Sequence, residues 1–341
     1  MKIIDKKILS NKIHKEFGSK FINIEHDKLN IKCNILSGNF YIDSHNFFPL
    51  TEDFYSFSEI FSWGDFKKYN NFYSENFIQN FSKNKNKFKE ISDVFILGSS
   101  YADNYYRNIM SFLPRIFFNT KNKIKFAIHR NSSNKIRSFI KNFYNQLNIE
   151  IKFIYLDDGF YKFNNSEIPQ FINKSKSIEI LNRLNTNNQS KKNKIYITRR
   201  NCTYRNLINE EGVIKFLKSK DFKVFDMNNL SISEQIDLFS NAEIIISPSG
   251  SALANLVFCS KGTKVFEISP KYNHEYENVF KNRYSFICDF LNLEYNRIES
   301  DSIDLYENNI NKNIDINVAL ESNYYKNLIV KLETIHSLFK S

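Results

Sequence analysis

From Asp93 onward the chain alternates short apolar runs with longer amphipathic ones, the pattern of strands joined by helices. Val94 to Leu97 reads as a short strand, followed by Gly98-Ser99-Ser100 and a helical segment from about Asp103 to Phe118 that contains Pro114. Phe126 to Ile128 is a second strand. Ser132 to Leu147 reads as a helix with Ile136, Phe139, Ile140 and Phe143 on one face, and Ile151 to Leu156 as a third strand ending at Asp157-Asp158-Gly159. Strands alternating with helices pair in parallel through right-handed crossovers, so this stretch predicts one Rossmann-like domain.

A polar loop over residues 160–193, with Pro169 and a helix near Ile178 to Leu184, separates it from a second series. Lys194 to Thr198 is a strand. Asn209 is placed to cap a helix running to about Lys218 with Val213, Ile214 and Leu217 inward, and Phe222 to Phe225 is the next strand. Ser231-Ile232-Ser233-Glu234 has the form of a capping box, which opens a helix with Ile232, Ile236 and Phe239 at helical spacing. Glu243 to Ser247 reads as a buried strand, Pro248-Ser249-Gly250-Ser251 as a tight loop, Ala252 to Cys259 as a small-residue helix, and Lys264 to Ile268 as a strand closed by Ser269-Pro270. A last helix is predicted from about Ala319 to Phe339, with Leu328, Ile329, Leu332, Ile335 and Leu338 at helical spacing.

Before residue 90 the pattern is irregular and strand-leaning. Leu29 to Leu36 and Asn39 to Ile42 are β-like runs separated by Ser37-Gly38, a turn signal, and the aromatic residues from Phe54 to Trp63 read as packing. The expected fold is therefore α/β, with two Rossmann-like parallel-sheet domains facing a cleft. A strand-leaning region spans 1–90, the first domain 91–185, the second 186–318, and a C-terminal helix packed on the body 319–341.

Composition agrees with two folded domains: 42% of the 341 residues are apolar, with 34 Phe and 19 Tyr, ample material for two cores. No apolar run reaches the ~20 residues of a spanning helix, and the first residues lack the apolar centre of a secretory signal; the expected location is the cytoplasm. Cys33, Cys202, Cys259 and Cys288 have neither metal-ligand spacing nor a disulfide framework, so no metal site is predicted. The net charge of +11 is uneven. Lys83, Lys85, Lys87 and Lys89 form one run, and Lys121, Lys123, Lys125, Arg130, Lys135, Arg137 and Lys141 a second with no acid between residues 121 and 146. A solvated face is the ordinary reading of such runs. An anionic membrane surface, peripheral to the inner face of the membrane, ranks ahead of nucleic acid, because no nucleic-acid-binding signature accompanies the charge.

In an open parallel sheet, ligands bind where strand C-termini run into loops and helix N-termini. Four features fall on such edges. The small-residue loop Ser249, Gly250, Ser251 lets a diphosphate approach backbone amides at the positive end of the following helix, against the alternative of a plain tight turn. Arg199 and Arg200, just past a strand, with Arg205, suit phosphate oxygens; the alternative is surface pairing with Glu210 or Glu211. Glu267 ends a strand where a carboxylate can accept both hydroxyls of a ribose. Asn255, inside the small-residue helix, faces either a ligand or a structural hydrogen bond.

In this order, Ile195-Tyr196-Ile197-Thr198-Arg199-Arg200 with Arg205 and Asn209-Glu210, Leu230 to Ile236, Ser247 to Phe258, and Gly262 to Ile268 resemble the family 61 glycosyltransferases, including bacterial enzymes of capsular polysaccharide synthesis. Asn104-Tyr105-Tyr106-Arg107 with Leu113-Pro114-Arg115 looks like the family's acceptor-side helix. The resemblance implies a GT-B fold with an acceptor-side first domain and a donor-side second one. It also implies a nucleotide-diphosphate sugar as donor substrate with no other cofactor, a glycan or lipid-linked acceptor, and metal-independent transfer with inversion. The chain departs from the family at two points: Ser249 and Arg107 stand where it commonly has His. Inverting transfer needs a base and a cationic environment for the departing diphosphate. Asp103 is the candidate base, with helix capping as its alternative role, and Arg107 the candidate counter-charge; His129 at a strand end is a second base candidate. A non-catalytic nucleotide-binding or scaffold member of the same fold is the competing expectation, and a nucleic-acid-binding protein a further one.

Overall fold

A computed structural model of the chain describes residues 2–4, 19–26, 31–44, 48–50, 55–57, 75–98, 104–119, 123–185, 193–273, 277–303 and 322–339. The chain divides into two compact units, Met1–Ile180 and Leu181–Ser341.

The first unit contains β1 (Lys2–Ile4), β2 (Ser19–His26), β3 (Ile31–Asp43), β4 (Phe48–Leu50), β5 (Tyr55–Phe57), α1 (Glu75–Asn84), β6 (Lys89–Ser92), β7 (Phe95–Ile96), β8 (Lys123–His129), α2 (Asn134–Gln146), β9 (Glu150–Leu156) and β10 (Phe160–Pro169), with α3 (Lys174–Asn182) at its end. Eight strands form one sheet in the order β2-β3-β10-β7-β8-β9, with β4 on β3 and β6 on β10. β7, β8 and β9 pair in parallel around α2, whose Ile136, Ile140 and Tyr144 are buried, as the strand-helix alternation predicts.

Three readings of this half are corrected. Residues 160–169 are a strand, not a polar loop, and Pro169 is its last residue, opposite Ile35 of β3. Ser37-Gly38 is not a turn, because β3 runs through it; Gly38, at φ +140, lies where the β3–β10 register shifts between Phe163 and Ser166, a bulge geometry that suits glycine. The segment 105–118 is not one α-helix. A single turn (Tyr105–Arg107) passes into a π-helical stretch (Asn108–Phe112) and a 3₁₀ stretch (Leu113–Phe118), since Pro114 has no N–H to continue the α ladder. The aromatic stretch Phe54–Trp63 lies outside the described residues except for the backbone of β5.

The second unit holds β11 (Asn193–Ile197), α4 (Glu210–Lys218), β12 (Lys223–Phe225), α5 (Ile232–Ser240), β13 (Ala242–Pro248), β14 (Lys264–Pro270), α6 (Arg283–Leu291), β15 (Glu294–Ile303), β16 (Asn327–Ile329) and α7 (Leu332–Ser337). Its sheet runs β12-β11-β13-β14-β15-β16, parallel except for the antiparallel β16. Ile195, Tyr196 and Ile197 are buried in succession, as a parallel strand covered on both faces requires. The chain leaves β11 toward β12 on one side and returns to β13 on the other. The switch point between β11 and β13 therefore opens a crevice at their carboxyl ends.

The capping box at Ser231 forms in full, its hydroxyl accepting from Glu234 N while the Glu234 carboxylate accepts from Ser231 N. The segment expected as an α-helix from Ala252 is a 3₁₀ helix, Ser251–Phe258. The single C-terminal helix is replaced by a 3₁₀ turn (Asn323–Tyr325), β16 and the short α7. The spacing misled because Leu328 belongs to a strand in the core while Leu332, Ile335 and Leu338 belong to a helix on that same core. Asn209 explains the switch: it makes no helix cap with its side chain, and instead its amide donates to Val330 O (2.7 Å) and its oxygen accepts from Val330 N (3.3 Å). Leu328 is fully buried, so Leu328→Ala is expected to cost about 2–5 kcal/mol of unfolding free energy, read from the midpoint and slope of chemical denaturation.

Candidate functional site

β11 delivers Thr198, Arg199 and Arg200 to the switch point, and the two arginines part. Arg200 is exposed, its Nε donating to Glu210 at 2.7 Å. Glu210 is buried and also accepts from Tyr196 Oη (2.8 Å) and Thr198 Oγ1 (2.9 Å), so Arg200 has the ion-pair role weighed for it. Arg199 turns inward and is buried. Its guanidinium crosses the backbone of Gly250: a Cβ on that residue would overlap it, with the Arg199 Cζ only 2.7 Å away. Gly250 has an extended backbone, so the demand is for space and not for a left-handed φ. Arg199 Nη2 donates to Tyr204 O (2.9 Å), while its Nε is buried with no hydrogen-bond partner.

Arg205 closes on the same loop. It occupies the left-handed region, at φ +60, and its backbone N–H donates to Lys326 O (3.1 Å). Its Nε donates to Ser249 O at 2.8 Å and Nη1 to Tyr324 O at 2.9 Å; its Cζ stands 3.9 Å from the Tyr324 ring centroid and 4.7 Å from that of Tyr204. The two buried guanidiniums repel. Desolvation, then the neighbouring Arg205 charge, holds Arg199 below the ordinary arginine pKa. For Tyr324, burial raises the phenol pKa, but Arg205 and Arg283 outweigh it and leave it below the ordinary tyrosine value. Among the described residues neither Arg199 nor Arg205 forms an ion pair.

Ser249 is the hinge of this arrangement. Its N–H donates to Ile268 O (2.8 Å) and its carbonyl accepts from Arg205 Nε (2.8 Å). Glu267 is buried beside it on β14 and accepts from Tyr295 Oη at 2.6 Å. Burial is the main cause that raises the Glu267 pKa, against the hydrogen bonds of Ser249 and Tyr295; burial and then Glu267 push Tyr272 up to about 12. The Glu267 carboxylate, expected to accept from a ribose, has Tyr295 Oη as its hydrogen-bond donor in the structure.

Asn255 has the structural role: its amide donates to Gln235 at 2.6 Å, and Gln235 in turn donates to Met227 O and Leu230 O, tying the 3₁₀ helix to α5. Ser251 opens that helix and is partly exposed. Thus Arg199, Arg205, Ser249, Gly250 and Glu267 come together, while Arg200 and Asn255 brace the elements that carry them. Tyr272, Tyr295 and Tyr324 were not anticipated; they sit on segments 272–325 where no local pattern marks them.

In the first unit Asp103 lies outside the described residues. The helix start is capped by Asn104, whose Oδ1 accepts from Arg107 N at 3.1 Å, and Arg107 is half-buried at the end of that turn. His129 has partners on both ring nitrogens, Asp158 on Nε2 (3.0 Å) and the Asn131 N–H on Nδ1 (3.0 Å), and Asp157 pairs with Arg130 at 2.6 Å. Lys83, Lys87, Lys89, Lys125 and Lys141 are exposed, and Cys259 and Cys288 are buried free thiols.

The family profile described as Glycosyltransferase 61 matches residues 69–266, more than half of the chain. The chain belongs to this glycosyltransferase family. No curated protein matches it. Within the family match lie both arginines, Ser249 and Gly250; Glu267 and the three tyrosines follow it. No helix among the described residues is long and apolar enough to cross a membrane.

The raised Glu267 pKa sets a pH dependence. An acid that binds its proton more tightly folded than unfolded makes stability fall as pH rises from the ordinary 4.5 through the higher folded value. Glu267→Gln removes this component, so the variant, relative to the unaltered protein, gains stability between pH 4 and 7. Denaturant midpoints across that range measure the difference, and parallel curves would refute it.

Proposed function

We propose that the chain is an inverting glycosyltransferase of GT-B type that binds the diphosphate of a nucleotide-sugar donor between Arg199, Arg205 and the amides that open the 3₁₀ helix at Gly250 and Ser251. The observation that carries this reading is a pair of adjacent buried guanidiniums with no ion-pair partner among the described residues, one of them with an unsatisfied Nε. Burying an uncompensated charge costs several kcal/mol. A bound diphosphate offsets that cost, and the charge it meets is already oriented to stabilise the leaving group as the glycosidic bond to phosphate breaks. In this reading two guanidiniums carry the charge that a metal ion carries in other sugar transferases, Asp103 is the base for the acceptor hydroxyl, and Arg107 adds positive charge beside it.

The acceptor we propose is a glycan or lipid-linked saccharide of capsular or other cell-surface polysaccharide synthesis, reached at an anionic bilayer through the exposed lysines of the two basic runs. The competing reading, a nucleotide-binding member without turnover, draws on Ser249 and Arg107 standing where the family commonly has His. Release of free nucleoside diphosphate from a donor in the presence of extracted acceptor separates the two.

Calorimetry with UDP, GDP and CMP is expected to give binding for a diphosphate, weakened about 10–100-fold by Arg199→Ala, the loss of charged hydrogen bonds. Gly250→Ala is expected to do the same, because its new methyl occupies the guanidinium's place while the extended backbone is undisturbed. Heat from none of the three nucleotides would end the proposal. For the bilayer, co-sedimentation with vesicles containing anionic lipid but not with neutral ones is expected, declining as salt screens the lysines; equal recovery on both vesicle types would remove the membrane from the reading.

A further inference from the structure

Arg205 is held from the far end of the sequence. The turn Ser322–Lys326 supplies two carbonyl acceptors, Tyr324 O to Nη1 (2.9 Å) and Lys326 O to the backbone N–H (3.1 Å), and lays the Tyr324 ring on the guanidinium at 3.9 Å. Tyr324 also stacks on Phe280, with centroids 3.9 Å apart and planes inclined by 16°. Two planar groups that close to one ring centroid occupy its two faces. Arg283 Cζ then lies 4.6 Å from the Phe280 centroid, so cation, ring, ring and cation follow one another in a stack.

The turn itself is pinned by a carboxylate. Glu277 is fully buried and accepts from Tyr324 N (2.7 Å), Ser322 Oγ (2.6 Å) and Asn273 N (2.6 Å); Asn323 Nδ2 donates to Lys271 O at 2.7 Å. Lys271 and Asn273 directly follow β14, the strand that carries Glu267. None of these residues falls within the matched span 69–266.

We propose that Tyr324 is a positioning residue of the phosphate grip, and that the turn Ser322–Lys326 is a working part of the donor site. This rests on the reading of Arg199 and Arg205 as the diphosphate holders. A buried cation is governed by the partners it is given. Carbonyl dipoles and a ring face hold a guanidinium in orientation without neutralising it, whereas a carboxylate would cancel the charge the ligand needs. Arg205 grips the Ser249 carbonyl, and the Ser249 N–H is bonded to Ile268 O, so the strand that carries Glu267 brings that carboxylate to the same loop. With the Tyr324 ring in place, Arg205 is directed at the Ser249 carbonyl; without it, Arg205 swings to pair with Glu267 and the positive charge at the crevice is lost.

The test titrates inorganic pyrophosphate into the full chain by calorimetry, comparing Tyr324→Leu, Arg205→Met and the double variant. Tyr324→Leu is expected to weaken binding about tenfold, the scale of a desolvated cation–π contact. In the Arg205→Met background the same change is expected to do nothing, since it acts only through that guanidinium. A merely structural role would instead make the two losses multiply. Should Tyr324→Leu fail to fold, Asn323→Ala takes its place: it frees the turn from Lys271 with the ring retained, and a loss of about threefold, again absent without Arg205, is expected. Binding that is unchanged in the single variant, or losses that multiply in the double, overturns the role of Tyr324 while leaving the donor site standing. A native protein that binds neither pyrophosphate nor any nucleoside diphosphate overturns the donor reading and this inference with it.

Discussion

The approach of the Arg199 guanidinium to the Gly250 backbone is the constraint on which the second unit's site depends. It exists because the strand order places the loop after β11 beside the loop after β13, and because the residue at the crossing has no side chain. Any Cβ there would displace the guanidinium, and with it the Nε that is left buried without a partner. Around this contact the protein has put neutral dipoles and not acids. Tyr204 O, Ser249 O and Tyr324 O receive the arginine N–H groups, and aromatic faces cover what remains. An arrangement of that kind keeps two cations in a low-dielectric place at a cost in stability, a cost that a bound anion would offset under the proposed function.

The neighbouring acids fit the same logic. Glu210 pairs with Arg200 on the exposed side of the corner, and Glu277 spends its oxygens on backbone N–H groups and a serine hydroxyl. Glu267, buried on β14, accepts from Tyr295, and its burial favours the protonated form. Each carboxylate is thus held away from direct pairing with the buried arginines by a more local donor. The charge on Arg199 and Arg205 stays unpaired among the described residues because the neighbouring acids have other partners.

Much of this was legible in the chain. The capping box at Ser231, the succession of apolar residues in β11 and β13, and the small-residue loop at Ser249-Gly250 are decided within a few residues, so local pattern found them. The C-terminal segment was not legible for a definite reason: Leu328 and Leu332 face one core from different elements, and what makes residues 327–329 a strand is pairing with Asp301–Ile303 and hydrogen bonds to Asn206 and Ile208, more than a hundred residues earlier. The same distance hid Tyr324 and Tyr295, whose roles come from what they meet and not from their neighbours in sequence. Pro169 and Gly38 misled in the opposite sense: both are turn formers that a strand end and a bulge can accommodate.

Arg199 and Arg200 show how far adjacency can mislead about role. The doubled arginine follows β11 in the loop, where the chain buries Arg199 against Gly250 and leaves Arg200 exposed. Beside Arg200 waits Glu210, buried at the start of α4 and already bonded to Tyr196 and Thr198 of the same strand end. The outward arginine completes that cluster and so fixes the direction in which the chain leaves β11. The inward one inherits its aim from this anchoring: Arg200 locks the corner, and the corner turns Arg199 onto Gly250. Two residues of identical chemistry therefore divide through the geometry of one strand end: Arg200 is paired with Glu210, and Arg199 is the one that no carboxylate among the described residues pairs.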